Sequence, residues 1–156
     1  MQKTKQKAGI DSIKAFLSQE HIGIVGVSRK PSKFGNTIFK ELKMKQYKLY
    51  PVHSSLETFD GETCYKTILA LPSEVTAIIL CTQPEQSFTL VKDAYEKNIL
   101  HIWLQQGAQT NEALQFAQEN KINLIHRECV LMFAEPAAFI HRFHGSINKL
   151  FGLYPK

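Results

Sequence analysis

The stretch IGIVGVSRKPSKFG, residues 22–35, decides the fold of this chain. Residues 22–27 are apolar and partly β-branched, a composition typical of a strand that is buried on both faces. Beyond them, Phe34, Ile38 and Leu42 recur at helical spacing, which indicates a helix over residues 33–45. The stretch therefore predicts a buried strand that passes into a helix through a short turn at Gly26.

The same alternation of apolar strands and periodic helices continues along the chain. Further strands are predicted over residues 47–52, 75–82, 100–104 and 122–126, and further helices over residues 11–18, 84–97 and 111–120. Strands separated by helices are typical of βαβ units, whose right-handed crossovers produce a parallel sheet. We therefore expect an α/β sandwich of three layers, with a five-stranded, mainly parallel sheet and helices on both faces.

Length and composition exclude several classes of protein. The 156 residues fit one domain, and no apolar run approaches the ~18–20 residues that a membrane span needs. The three cysteines lie far apart and form no CxxC pair, which argues against a disulfide scaffold or a zinc site. This cysteine usage indicates a reducing compartment. We expect a single cytoplasmic domain over residues 1–156, with a flexible basic tail over residues 1–10 and a C-terminal helix over residues 134–150.

The first strand is followed by features that suit an anionic ligand. The formal net charge is +5, and Arg29 and Lys33 stand where the predicted helix after the first strand begins. The free N–H groups at a helix N-terminus attract phosphate, and Gly26 and Ser28 permit close approach and hydrogen bonding. The spacing of the glycines matches neither GxGxxG nor GxxxxGK[ST], so it does not identify the nucleotide. The alternative is a solvated surface with no ligand.

Other partners are not indicated by the sequence. It contains no basic helix with stacking aromatic residues of the kind that binds nucleic acid, and no membrane partner is expected.

The end of the second strand is the place to test for NAD. Dinucleotide-binding domains carry Asp or Glu there for the ribose hydroxyls, or an Arg for the 2′-phosphate of NADP. Here the segment reads YPVHSS (50–55), and the first acid is Glu57. An NAD(P)-binding oxidoreductase or redox sensor is therefore the weaker alternative, while a ligand with a phosphate elsewhere on its ribose remains open.

Short strings at the strand ends resemble a known family. They are IVGVSRKPSKFG (24–35), PV (51–52), CTQPE (81–85), WLQQG (103–107) and REC (127–129). They recur in this order in the small stand-alone CoA-binding proteins, which are similar to the CoA-binding N-terminal domain of the succinyl-CoA synthetase α subunit. The resemblance covers about residues 22–130. It implies a Rossmann-like fold that holds coenzyme A, or an acyl-CoA, along the carboxyl ends of the strands.

The resemblance also implies which residues hold the cofactor. Residues of the first turn would lie beneath the phosphates, those of the second strand would edge the adenosine, and those after the third would flank the pantetheine arm. The full set is Gly26, Val27, Ser28, Arg29, Lys33, Phe34, Gly35, Pro51, Val52, His53, Thr82, Gln83, Pro84 and Gln105. The family often has PVNP and DRC, where this chain has PVHS (51–54) and HREC (126–129).

No complete set of catalytic residues is recognisable in the sequence. His141 and His144 stand three residues apart on a predicted helix, a spacing that a solvated polar face also explains. His126 precedes Cys129, so this thiol is a candidate for a mixed disulfide with CoA, with a buried inert cysteine as the alternative. We therefore expect a CoA-binding module rather than an enzyme, and no metal. Whether CoA or an acyl-CoA binds, and the oligomeric state, stay open.

Overall fold

The computed structural model describes residues 9–136. Its helices are α1 (Ile10–Leu17), α2 (Phe34–Met44), α3 (Pro84–Glu96) and α4 (Asn111–Glu119). Its strands are β1 (His21–Val25), β2 (Lys48–Val52), β3 (Thr58–Phe59), β4 (Glu62–Thr63), β5 (Ala77–Leu80), β6 (His101–Leu104) and β7 (Asn123–Ile125), with short 3₁₀ helices at Ile68–Ala70 and Val130–Met132. Most of the predicted basic tail and C-terminal helix lies outside the described residues.

Five strands form one parallel sheet in the order β2-β1-β5-β6-β7. Helices α1 and α2 pack on one face, around a cluster that contains Phe16, Ile38 and Trp103. Helices α3 and α4 pack on the other face, where Val91 and Ala113 are fully buried. The predicted Rossmann-like α/β sandwich of three layers is thus confirmed. No helix within residues 9–136 is long and apolar enough to cross a membrane.

The sequence-based prediction missed one element of the structure. Strands β3 and β4, which lie between β2 and β5 in the chain, form a separate two-stranded antiparallel hairpin. Tyr65, just beyond this hairpin, pairs with the outer edge of β2: its N–H donates to the Pro51 carbonyl (2.9 Å), and its carbonyl accepts from the His53 N–H (2.8 Å). The loop after β4 is therefore fixed beside the carboxyl end of β2.

The path of the chain opens a crevice between the ends of β1 and β5. From β1 the chain crosses through α2 to β2 at one edge of the sheet, whereas from β5 it crosses through α3 to β6 on the other side. Because α2 and α3 also cover opposite faces, the loops that follow β1 and β5 diverge. Such a topological switch point is where open α/β sheets bind ligands.

Two glycines allow α2 to begin directly against the end of β1. Gly26 has a φ of +122°, and a Cβ there would lie 2.4 Å from the Cys81 carbonyl oxygen. A Cβ on Gly35, in the first turn of α2, would lie only 2.2 Å from the Gly26 carbonyl oxygen. Backbone contacts this close exclude any side chain at either position, so the turn requires glycine twice.

The Gly35 contact leads to a stability prediction. Gly35→Ala should lower the free energy of unfolding by ~1–3 kcal/mol, because the new methyl group must push α2 away from the Gly26 carbonyl. Gly9→Ala is the control, since a Cβ there meets nothing within 4 Å. Urea unfolding of both variants measures the difference, and a Gly35→Ala protein as stable as Gly9→Ala would contradict this account of the turn.

Candidate functional site

A cleft of about 700 Å³ lies at the switch point, within the ~300–1,000 Å³ typical of ligand pockets. It is bounded by the ends of β1, β2 and β5, the start of α2, one face of α3, and the loop after β4. Its lining residues are Val25, Gly26, Val27, Ser28, Lys33, Val52, His53, Ser54, Lys66, Thr67, Ile68, Cys81, Thr82, Gln83, Glu85, Gln86, Thr89, Leu90 and Asp93.

The cleft brings together more than half of the residues expected from the sequence. Those that line it are Gly26, Val27, Ser28, Lys33, Val52, His53, Thr82 and Gln83. Gly35, Pro51 and Pro84 lie beside the cleft as framework: Gly35 is buried against Gly26, Pro51 belongs to β2, and Pro84 is the first residue of α3. Arg29 is exposed beside the turn.

Phe34 and Gln105 also lie outside the cleft lining. Phe34 is the first residue of α2, and 51% of its side chain is exposed. Gln105 is 5% exposed; its Nε2 donates to the Cys129 Sγ (3.0 Å), and its Oε1 accepts from the Val130 N–H (3.2 Å). Gln105 therefore uses its amide to hold the chain after β7 against the end of β6, away from the cleft.

The first turn is held by a residue that sequence analysis missed. Asn36 is only 4% exposed. Its Oδ1 accepts from the Ser28 N–H (2.8 Å), and its Nδ2 donates to the carbonyls of Ser28 (2.8 Å) and Lys30 (3.0 Å). The Ser28 Oγ in turn accepts from the Lys30 N–H (3.1 Å). These bonds close the loop between β1 and α2, and they place Lys33 at the rim of the cleft.

His53 organises the corresponding turn after β2. Its Nδ1 accepts from the N–H groups of Ser55 and Leu56, both at 3.0 Å. Because Nδ1 acts as an acceptor, the neutral ring carries its proton on Nε2. His53 thus supplies the turn with a side-chain acceptor of the kind that an asparagine can also provide.

Charge is distributed unevenly around the cleft. Lys33 and Lys66 line it at the ends of β1 and β2, whereas Glu85 and Asp93 line it on α3. Lys33 is the N-cap residue of α2, and its side chain makes no capping hydrogen bond to the N–H groups of the first turn. These N–H groups and the positive end of the helix dipole favour an anion beside Lys33.

The cysteines differ from the sequence-based picture. Cys81 lines the cleft, while Cys129 lies outside it, bonded to Gln105. Burial raises the pKa of the Cys81 thiol to about 12, and the nearby Cys129 adds to this increase. Since the thiolate is the nucleophile, this raised pKa makes Cys81 a poor nucleophile at neutral pH. Burial and the charge of Arg127 lower the pKa of His126 below its ordinary value, which favours the neutral form of the ring.

Residues 20–135 match the family described as the CoA binding domain, so the chain belongs to that family. It is 26% identical over 140 residues to the α subunit of the ADP-forming acetate–CoA ligase II of Pyrococcus furiosus. That match covers 87% of this chain and 30% of the ligase subunit, so the chain spans under a third of its relative.

Solved structures share the fold. A hypothetical protein from Pyrococcus horikoshii aligns with a TM-score of 0.76 and 27% identity, over 85% of this chain and 95% of that one. A conserved hypothetical protein from Pyrococcus furiosus aligns with a TM-score of 0.71 and 28% identity, over 74% of this chain and 99% of that one. Both neighbours are small proteins whose length this chain covers almost completely.

The Asn36 clamp can be tested by its effect on the first turn. Asn36→Ala removes three hydrogen bonds from a buried site and should lower the free energy of unfolding by ~1–3 kcal/mol. Because the Ser28 N–H loses its acceptor, its hydrogen exchange should accelerate. The exposed Asn111, replaced in the same way, is the control. Unchanged exchange at Ser28 would show that the turn does not depend on Asn36.

Proposed function

We propose that this protein binds coenzyme A or an acyl-CoA in the cleft at the carboxyl ends of β1, β2 and β5, and that it supplies no catalytic residue of its own. The observation that carries the proposal is the start of α2. There, the N–H groups of the first helical turn, which the N-cap side chain leaves uncapped, lie beside Lys33 at the switch point of the sheet. This combination suits the diphosphate of a nucleotide.

The geometry around Gly26 supports the position of the diphosphate. Gly26 lines the cleft at a point where a Cβ would collide with Cys81 at the end of β5, and Gly35 permits α2 to begin immediately beside it. Val27 and Ser28 line the same part of the cleft. A phosphate in this place would lie against backbone N–H groups rather than side chains, an arrangement that many nucleotide-binding turns use.

The remaining part of the cleft suits a long, uncharged arm. Val25, Val52, Ile68 and Leu90 give it apolar surface, while Gln86 and Thr89 on α3 offer hydrogen-bonding groups. Pantetheine carries amides on a largely aliphatic chain, so it needs both kinds of contact. Glu85 and Asp93 would repel phosphate, which directs the charged half of the ligand toward Lys33 and the neutral arm toward α3.

The polar groups of the cleft support a binding role rather than catalysis. Ser28 Oγ accepts from the Lys30 N–H, Thr67 Oγ1 accepts from the Ala70 N–H, and Thr82 Oγ1 is 3.2 Å from Ser87 Oγ. None of these three bonds joins a hydroxyl to a histidine or a carboxylate, the pairing that activates a serine or threonine nucleophile. Ser55 Oγ lies 3.4 Å from His53 Nδ1, but Ser55 is outside the cleft lining. The Cys81 thiol is protonated at neutral pH.

The relation to the acetate–CoA ligase subunit is consistent with this division of labour. The chain corresponds to less than a third of that subunit. Under the proposal, the shared portion holds CoA, and the chemistry that forms an acyl-CoA belongs to the portions of the ligase outside the matched region.

A ligand panel tests the proposal directly. CoA and acetyl-CoA should both raise the melting temperature, since a ligand at ~100 times its Kd stabilises a protein by about 2.7 kcal/mol. NAD and NADP at equal concentrations should not, because no acid or arginine stands at the end of β2. Differential scanning fluorimetry at several concentrations gives the comparison. Stabilisation by NAD or NADP without an effect of CoA would instead favour an oxidoreductase.

Charge reversal at Lys33 tests the location of the phosphates. Lys33→Glu should weaken CoA binding by at least about tenfold, because a charged hydrogen bond contributes ~1.5–3 kcal/mol and repulsion replaces it. Lys40→Glu is the matched control, since Lys40 is an exposed lysine on the same helix. Isothermal titration at two salt concentrations separates local contact from long-range attraction. Equal losses in the two variants would place the phosphates elsewhere.

A further inference from the structure

A second lysine reaches the cleft from a segment that carries no recognisable motif. Lys66 follows the β3–β4 hairpin and lines the cleft beside the end of β2. Its position is fixed on both sides: Tyr65 pairs with Pro51 and His53 of the β2 edge, and Thr67 caps the 3₁₀ helix through its bond to the Ala70 N–H. The loop therefore presents the ammonium from a defined backbone position.

Neither cation of the cleft is neutralised by a carboxylate within residues 9–136. Lys43, another lysine near the hairpin, is held by Asp60 and Glu62 at 3.5 and 3.3 Å. No such ion pair is formed by Lys33 or Lys66 among the described residues. The two cations approach from different sides, Lys33 from the start of α2 and Lys66 from the loop beside β2.

The order of the strands separates the roles of these two lysines. If the diphosphate lies at the start of α2, the adenosine lies toward β2, which is the outer neighbour of β1. The end of β2 offers His53 and Ser54 but no carboxylate to accept from two ribose hydroxyls. A cation in that place is suited to a ribose that carries a phosphate.

We infer that Lys66 binds the 3′-phosphate of the adenosine ribose and makes the cleft selective for 3′-phosphorylated adenine nucleotides. This inference rests on the proposed function and extends it, because it assigns the recognition of one phosphate to one side chain. Lys33 binds the diphosphate, which CoA shares with dephospho-CoA. Only Lys66 then distinguishes the two ligands.

The test measures the affinities of CoA and dephospho-CoA for the unmodified protein and four variants by isothermal titration. The unmodified protein should bind CoA about tenfold more tightly, a difference of ~1.4 kcal/mol. Lys66→Ala should lose this preference by weakening CoA alone, and Lys66→Arg should retain it. Lys33→Ala should weaken both ligands by a similar factor and keep their ratio. Lys48→Ala, an exposed lysine at the amino end of β2, should change neither.

Smaller probes locate the phosphate on the ribose. Adenosine 3′,5′-bisphosphate should bind more tightly than its 2′,5′ isomer, and only the first should weaken in Lys66→Ala. A preference for the 2′,5′ isomer overturns the assignment and favours an NADP-like ligand. The assignment is also overturned if the unmodified protein binds CoA and dephospho-CoA equally, or if Lys66→Ala weakens both alike. Binding of neither ligand by the unmodified protein refutes the proposed function itself.

Discussion

The close contact between the backbones of Gly26 and Gly35 is the constraint on which the site depends. With no side chain at either position, α2 begins against the carbonyl end of β1. Asn36, the next residue of the helix, can then reach back to Ser28 and Lys30 and close the intervening loop. Lys33 lies within that loop at the N-cap of α2, so its place at the rim of the cleft follows from the same contact.

A second, independent attachment positions the opposite side of the cleft. The backbone of Tyr65 pairs with β2, which is itself hydrogen-bonded to β1. The turns that carry Lys33 and Lys66 are thus both fixed to neighbouring strands of one sheet, although they lie more than thirty residues apart in the chain. Backbone positions that are fixed before binding reduce the ordering cost of holding a charged ligand.

The sequence predicted the sheet, its helices and most of the first turn because those features are local. Apolar runs and helical spacing identify β1 and α2, and the spacing of glycines marks their junction. Lys66 and Asn36 could not be found in this way, since the role of each depends on a partner that folding brings close. Gln105 illustrates a different limit. It follows a strand as expected, but its side chain lies on the same face of the sheet as Trp103. The sequence does not indicate on which face of the sheet the cleft lies, so it could not exclude Gln105 from the site.

Under the proposed function, the uneven charge of the cleft favours CoA over NAD. Both lysines lie toward the ends of β1 and β2, whereas Glu85 and Asp93 lie on α3. CoA concentrates its negative charges in the adenosine half and continues as a neutral arm, so its charge pattern matches that of the cleft. NAD places its diphosphate between two nucleosides and has no ribose phosphate for Lys66 to bind. Lys33 and Lys66 form no ion pair within residues 9–136, so under the proposed function they favour a ligand with phosphates at two positions of one ribose.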